Sequence, residues 1–145
     1  MTKIITSYRE IMEVLNYYAK DHEAVKSGRV DLDEMAKKFA AYGTVVELTE
    51  GDTRIGFAAF YHNDRKMRRA FLSMIMVKPE FQEHGYGAQL LERVERECIG
   101  DGMKTLALEV RTDNLDAIHL YKDHGFVVAN AFAKEKWIME KRLSA

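Results

Sequence analysis

The sequence predicts an α/β domain in which helices cover the faces of a mixed sheet. Three observations lead there. Apolar runs of strand length are bounded by glycine, proline or charged turns, amphipathic runs of helix length stand between them, and neither type is segregated to one half of the chain. A chain of 145 residues fits one domain over residues 1–145 and can bury a core without disulfides or metal.

Ser7-Tyr8-Arg9-Glu10 has the form of a capping box, and Ile11, Leu15 and Tyr18 follow at helical spacing. A first helix is therefore expected to about His22. Asp31 begins a second, with Leu32, Met35 and Phe39 on one face and Gly43 as its stop. Between them, Val25 to Val30 reads as a loop. Thr44–Thr49 and Arg54–His62 are strands joined by the hairpin signal Glu50-Gly51-Asp52-Thr53.

Arg65 to Arg69 reads as a solvated turn. Ala70 to Val77 is apolar nearly throughout, the pattern of a strand covered on both faces, and it stops before Pro79, the only proline. From Tyr86 to Ile99 a helix is expected, with Leu90, Leu91, Val94 and Cys98 as its apolar stripe and Glu92, Arg93, Glu95 and Arg96 toward water. Thr105–Arg111 is a strand, Leu115–His124 a helix with Gly125 as its C-cap, and Phe126–Leu143 a closing pair of strands. Thr2–Ser7 is the sole candidate for a strand ahead of the first helix.

The composition narrows the function classes. With 22 basic against 23 acidic side chains, net charge −1, bulk electrostatics favours neither nucleic acid nor an anionic membrane. No stretch reaches the length of a membrane span, and no apolar run follows Lys3, so neither a membrane partner nor a signal peptide is expected and the cytoplasm is the default location. Cys98, the single cysteine, continues the stripe from Val94 and reads as a buried inert thiol rather than a nucleophile. The histidines His22, His62, His84, His119 and His124 have no metal spacing, and no metal is expected.

The chemistry concentrates in two segments. Val77-Lys78-Pro79-Glu80-Phe81-Gln82-Glu83-His84-Gly85-Tyr86-Gly87-Ala88 takes an apolar strand through a short loop to glycines that open an amphipathic helix. Such a loop leaves main-chain N–H groups unpaired at the positive end of a helix dipole, a place that suits a pyrophosphate. A tight helix entry explains the glycines equally well. A dinucleotide fingerprint is excluded because Leu90 stands at its third glycine, and a P-loop because no Gly-Lys-Ser/Thr occurs. What remains is Q-x-x-G-x-G/A, written by Gln82, Gly85 and Gly87.

The other segment runs from Leu108-Glu109-Val110-Arg111 through Asn114 and Ala117-Ile118-His119-Leu120-Tyr121 to Gly125-Phe126. Together the two resemble the GNAT superfamily of acetyltransferases over roughly Gly56 to Phe126. The stretch from Leu108 to Phe126 is especially similar to the branch that acetylates ribosomal-protein N-termini. The resemblance implies a GNAT-like α/β fold: a mixed, mostly antiparallel sheet with helices on both faces. An acyl-CoA cleft would open between two splayed central strands, those ending at Val77 and Arg111.

It implies acetyl-CoA as co-substrate and transfer of its acetyl group to a primary amine on a small metabolite, an amino sugar or a protein N-terminus. Residue by residue, Ile75, Met76 and Val77 would meet the pantetheine arm. Gln82, Glu83, His84, Gly85, Tyr86, Gly87 and Ala88 would form the loop around the pyrophosphate. Asn114 and Ala117 would line the arm, Tyr121 would serve as general acid near the sulfur, and Glu109 would be the general base. Glu83 stands where the superfamily often has Gly, Arg or Lys, so its side chain is expected to point outward.

Each role has a structural competitor. Asn114 stands at an N-cap position, Tyr121 follows Ile118 at helical spacing and fits a core, and Glu109 fits a solvated strand carboxylate. For His84, loop solvation competes with a phosphate neighbour. A non-catalytic acyl-CoA-binding module is the alternative of a different class, and binding alone would not require both Glu109 and Tyr121. The acceptor would contact the N-terminal helices and the tail, where Val25–Val30 and Ala129–Lys136 carry no motif, and a homodimer through the C-terminal strands is compatible with the pattern.

Overall fold

The computed structural model describes residues 1–21, 28 and 30–144. The expected loop Val25–Val30 lies outside them except for Gly28 and Val30, as does His22, the expected end of the first helix. Helix α1 covers Tyr8–Ala19 and helix α2 Leu32–Tyr42. Ser7 caps α1, its hydroxyl oxygen accepting from the Glu10 N–H at 3.2 Å, and Asp31 caps α2 in the same way at Glu34. Strands β1 (Thr2–Ile5), β2 (Gly43–Glu50), β3 (Thr53–Asp64) and β4 (Arg69–Val77) precede helix α3 (Tyr86–Gly100). Strand β5 (Thr105–Arg111), helix α4 (Leu115–Asp123) and strands β6 (Val127–Ala133) and β7 (Lys136–Arg142) complete the order.

The strands form one sheet in the order β1-β2-β3-β4-β5-β7-β6. Every neighbouring pair is antiparallel except β4 and β5, which α3 connects as a crossover. The sheet is thus mixed and mostly antiparallel, as the sequence predicts. The candidate strand at Thr2–Ser7 is real at Thr2–Ile5: it pairs with β2 from Thr2↔Leu48 to Ile5↔Val45. Its anchor is distant in sequence, because Arg93 of α3 donates to both the carbonyl and the hydroxyl of Thr2 at 3.2 and 2.8 Å.

Two apolar cores sit on opposite faces. One joins Ile11, Val14, Leu15 and Tyr18 of α1 and Ala36 and Phe39 of α2 to Val45, Phe57 and Ala59. The other packs the α3 stripe Leu90, Leu91, Val94 and Cys98, together with Ile118 and Tyr121 of α4, on Ala70, Leu72, Leu106 and Leu108. Glu95 departs from its expected place. It is only 8% exposed and is ion-paired with Lys141 of β7, because α3 buries more than a narrow stripe where β7 passes beneath it. Among the described residues, no helix is long and apolar enough to cross a membrane.

Strand β4 corrects a further expectation. It is not covered on both faces: Phe71 is 37% exposed, Ser73 is exposed, and Met74 to Val77 are half-buried. The register supplies the reason. Ala59 pairs with Met74 and Phe60 with Leu72, so Ser73 is an extra residue without a partner on β3. The bulge inverts the alternation of faces. Ala70 and Leu72 before it, and Ile75 and Val77 after it, serve the α3 core, while Met74 and Met76 turn to the α1–α2 core. A continuous apolar run conceals such a switch.

Candidate active site

The cleft begins where a ladder ends. β4 and β5 pair from Arg69↔Thr105 only to Leu72↔Leu108, and beyond that point they part. The β5-facing edge of β4 from Met74 to Val77 therefore carries main-chain N–H and C=O groups without a strand partner, although its other edge remains paired to β3 through Gly56↔Val77. Gly56 is required there: a Cβ would lie 2.3 Å from the Met76 carbonyl oxygen and 3.1 Å from the Val77 Cα.

Two adjoining cavities, of about 250 and about 480 Å³, occupy the gap and share Ile75, Asn114, Ala117 and Tyr121. They form a single cleft with Tyr121 at its middle. The larger part is bordered by Ile75, Met76, Val77, Gln82, Glu83, Gly85, Tyr86, Gly87 and Ala88; the smaller by Ser73, Glu109 and Arg111. Of the residues that the resemblance assigns to the coenzyme or to catalysis, His84 alone does not border the cleft. Its Nδ1 lies 2.7 Å from the Gln82 carbonyl oxygen and its ring stacks near Tyr86, so it shapes the loop.

The larger part ends at a helix N-terminus. Gly85 caps α3 with φ +82, a left-handed conformation that favours glycine, and has no capping side chain to offer. The first helical bond runs from the Gln89 N–H to the Gly85 carbonyl, which leaves the N–H groups of Tyr86, Gly87 and Ala88 without helical partners. Glu83, also at positive φ (66°), is exposed yet borders the cleft, so the expected outward placement holds only in its exposure. Gln82 works through the backbone. Its side-chain amide donates to the Val77 carbonyl at 3.0 Å and ties the loop to the end of β4.

Tyr121 is 6% exposed and packs against Phe126, with ring centroids 5.7 Å apart. Burial pushes its phenol up to about 12, so the hydroxyl remains a proton donor across the neutral range. Asn114 does cap α4, its Oδ1 accepting from the Ala117 N–H at 3.3 Å. Capping uses only the amide oxygen, so it does not preclude a hydrogen bond from the amide NH₂ group into the cleft that Asn114 borders. Glu109 is exposed and stands 3.8 Å from the Lys136 ammonium at the start of β7. Cys98 lies outside the cleft, and burial pushes its thiol up to about 12.

Sequence reasoning missed three contributions. Asp116 and His119 of α4 also border the larger cavity. Helical spacing from Asp116 to His119 would have identified this pair only once the cleft side of α4 was known. Ser73 was hidden by the bulge. Behind β4 lies a polar network that no motif announces: Arg54 holds the buried Glu47 through two donors at 2.7 and 3.2 Å, and the Tyr18 hydroxyl donates to the same carboxylate at 2.8 Å. Burial, then the Glu47 carboxylate, pushes the Tyr18 phenol far up.

A family model described as the acetyltransferase (GNAT) family matches residues 8–126. The [ribosomal protein bS18]-alanine N-acetyltransferase of Salmonella typhimurium is 44% identical over 69 residues, which cover 48% of this chain and 47% of that protein. The match thus spans about half the length of that relative. The crystal structure of the Escherichia coli ribosomal-protein-S18-alanine N-acetyltransferase has a TM-score of 0.78 at 24% identity, over 100% of this chain and 96% of that one. The PaiA N-acetyltransferase of Thermoplasma acidophilum, solved in complex with coenzyme A, has a TM-score of 0.74 at 20% identity, over 98% and 99%. At these identities the two solved structures speak for the fold.

Proposed function

The chain belongs to the acetyltransferase (GNAT) family, and from that premise we propose that it transfers an acetyl group from acetyl-CoA to a primary amine. The acceptor class is a small metabolite, an amino sugar or a protein N-terminus. One observation carries the reading: the cleft between the parted strands has an unpaired strand edge along one wall and an uncapped helix N-terminus at one end, with a buried phenol between its two parts.

Acetyl-CoA fits that set of groups. The free edge of β4 at Ile75–Val77 matches an extended arm with amide groups, and the N–H groups of Tyr86, Gly87 and Ala88 match a pyrophosphate. Gly85 and Gly87 keep side chains out of the approach. When bound, acetyl-CoA supplies an acyl group activated as a thioester.

The residues on the acceptor side handle protons. An alkyl amine has a pKa of about 10.4 and must lose a proton before it can attack. Glu109, exposed at the smaller end of the cleft, collects that proton directly or through water. Main-chain N–H groups on the free edge of β4 hold the carbonyl oxygen as negative charge develops on it. The Tyr121 hydroxyl gives its proton to the departing sulfur.

The test is a melting curve with and without acetyl-CoA, followed by a thiol-release assay over a panel of primary amines. At a hundredfold the dissociation constant, acetyl-CoA should add about 2.7 kcal/mol of stability, with NAD and ATP adding much less. At least one amine should release free coenzyme A with turnover. An unshifted melting curve at millimolar acetyl-CoA would contradict the proposal, and a shift without turnover on any amine would leave a binding module.

A further inference from the structure

Ser73 is the residue that β4 inserts at the point where it leaves β5. It has no partner on β3, where the register jumps from Met74 to Leu72, and none on β5, where pairing stops at Leu72. It is exposed, in a strand whose neighbours on either side are apolar. It also borders two cavities at once. One is the small end of the cleft, with Glu109 and Tyr121; the other is a groove of about 300 Å³ against α2, bordered by Met35, Lys38 and Tyr61. The α2 groove and the larger part of the cleft share no residue.

We infer that Ser73 positions the acceptor: the acceptor lies in the α2 groove, and its amine passes the Ser73 hydroxyl to reach the thioester. The inference rests on the N-acetyltransferase reading, with the acceptor against the N-terminal helices, and adds to it a residue that selects. A hydroxyl can accept from the attacking nitrogen while donating elsewhere, which suits an amine that must lose a proton during attack. The alternation of faces explains why this position is open. Were Ser73 instead paired in a regular strand, strict alternation would turn it to the α1–α2 face and carry Met74 to the α3 core. Ser73 touches neither the loop Gln82–Gly85 nor the start of α3 among the groups bordering its cavities, so its effect should fall on the acceptor alone.

The experiment uses the full chain with acetyl-CoA and three acceptors: putrescine, glucosamine and a hexapeptide with an N-terminal alanine. For whichever reacts fastest, KM values for amine and acetyl-CoA are measured in Ser73→Ala, Ser73→Thr and Ser73→Phe, with a melting temperature for each. Loss of one hydrogen bond corresponds to about 2–10-fold, so Ser73→Ala should raise the amine KM by that factor and Ser73→Thr should restore it. Ser73→Phe should raise it more, by blocking the passage, while the acetyl-CoA KM and the acetyl-CoA-induced melting shift stay within about twofold of the natural chain. Wild-type amine KM in all three variants overturns the inference and leaves the acetyltransferase reading intact. A rise confined to the acetyl-CoA KM also overturns it, since Ser73 would then serve the coenzyme end. No thiol release from the natural chain with any of the three amines contradicts the reading itself, and the inference falls with it.

Discussion

The two ends of the cleft are built from different materials. At the larger end, from Val77 to Ala88, the functional groups are main-chain N–H and C=O, and the side chains either stay small (Gly85, Gly87) or turn back to hold the loop, as Gln82 does at the Val77 carbonyl. At the smaller end the groups are side chains: Ser73, Glu109, Tyr121 and the α2 groove behind them. Backbone recognition constrains residue type through geometry, because φ +82 at Gly85 admits few alternatives. Side-chain recognition leaves residue type free to follow the acceptor. Glu109 and Tyr121 still belong to a motif, whereas Ser73 and the α2 groove carry none.

The comparison can be broken first at Tyr121, where the largest effect is expected. Tyr121→Phe keeps the ring that packs on Phe126 and removes the hydroxyl proposed to act as the sulfur departs. Turnover should fall about 100-fold, with the acetyl-CoA KM and the melting temperature nearly unchanged. Full turnover with altered stability would make Tyr121 a core residue. In the natural chain, a phenol held up to about 12 should give kcat no basic limb from Tyr121 ionisation below pH 10.

Glu109→Gln should cost less, about tenfold at neutral pH, since an exposed position lets water share the work. The loss should shrink as pH rises toward the amine's own pKa, about 10.4 for an alkyl amine or about 8 for a protein N-terminus, because more acceptor is then already neutral. A pH-independent deficit would mean that Glu109 orients the acceptor rather than deprotonating it. The smallest effect is expected at the backbone end. Gly85→Ala must hold alanine in a left-handed conformation, a penalty of about 1–2 kcal/mol, and relaxation of the loop should weaken acetyl-CoA about fivefold without changing kcat at saturation. Equal losses in kcat and acetyl-CoA affinity would erase the distinction between the two ends.

Legibility in the sequence followed helical periodicity more than position in the cleft. The stripe Leu90, Leu91, Val94 and Cys98 is fully buried, and Ile11, Leu15 and Tyr18 are core, because helical periodicity reports directly on burial. Glu95 was misplaced because its partner, Lys141, is supplied by a strand near the end of the chain. β1 was marginal because four residues carry little periodic signal and their anchor, Arg93, comes from α3. The Ser73 bulge lay inside an apolar run that reads the same in either register. His84 stands inside the motif, but its imidazole serves the Gln82 carbonyl. Except at His84, whose partner is two residues away, the missing information was a contact between segments distant in sequence or a one-residue change in strand register.

The most direct test of the central claim, that acetyl-CoA is held by the backbone between the parted strands, is amide hydrogen exchange with and without acetyl-CoA. Protection should rise along β4 from Met74 to Val77 and at Tyr86, Gly87 and Ala88, and should change little in α2. Saturating acetyl-CoA that leaves these amides exchanging as in the free protein, or that protects α2 instead, would contradict the account.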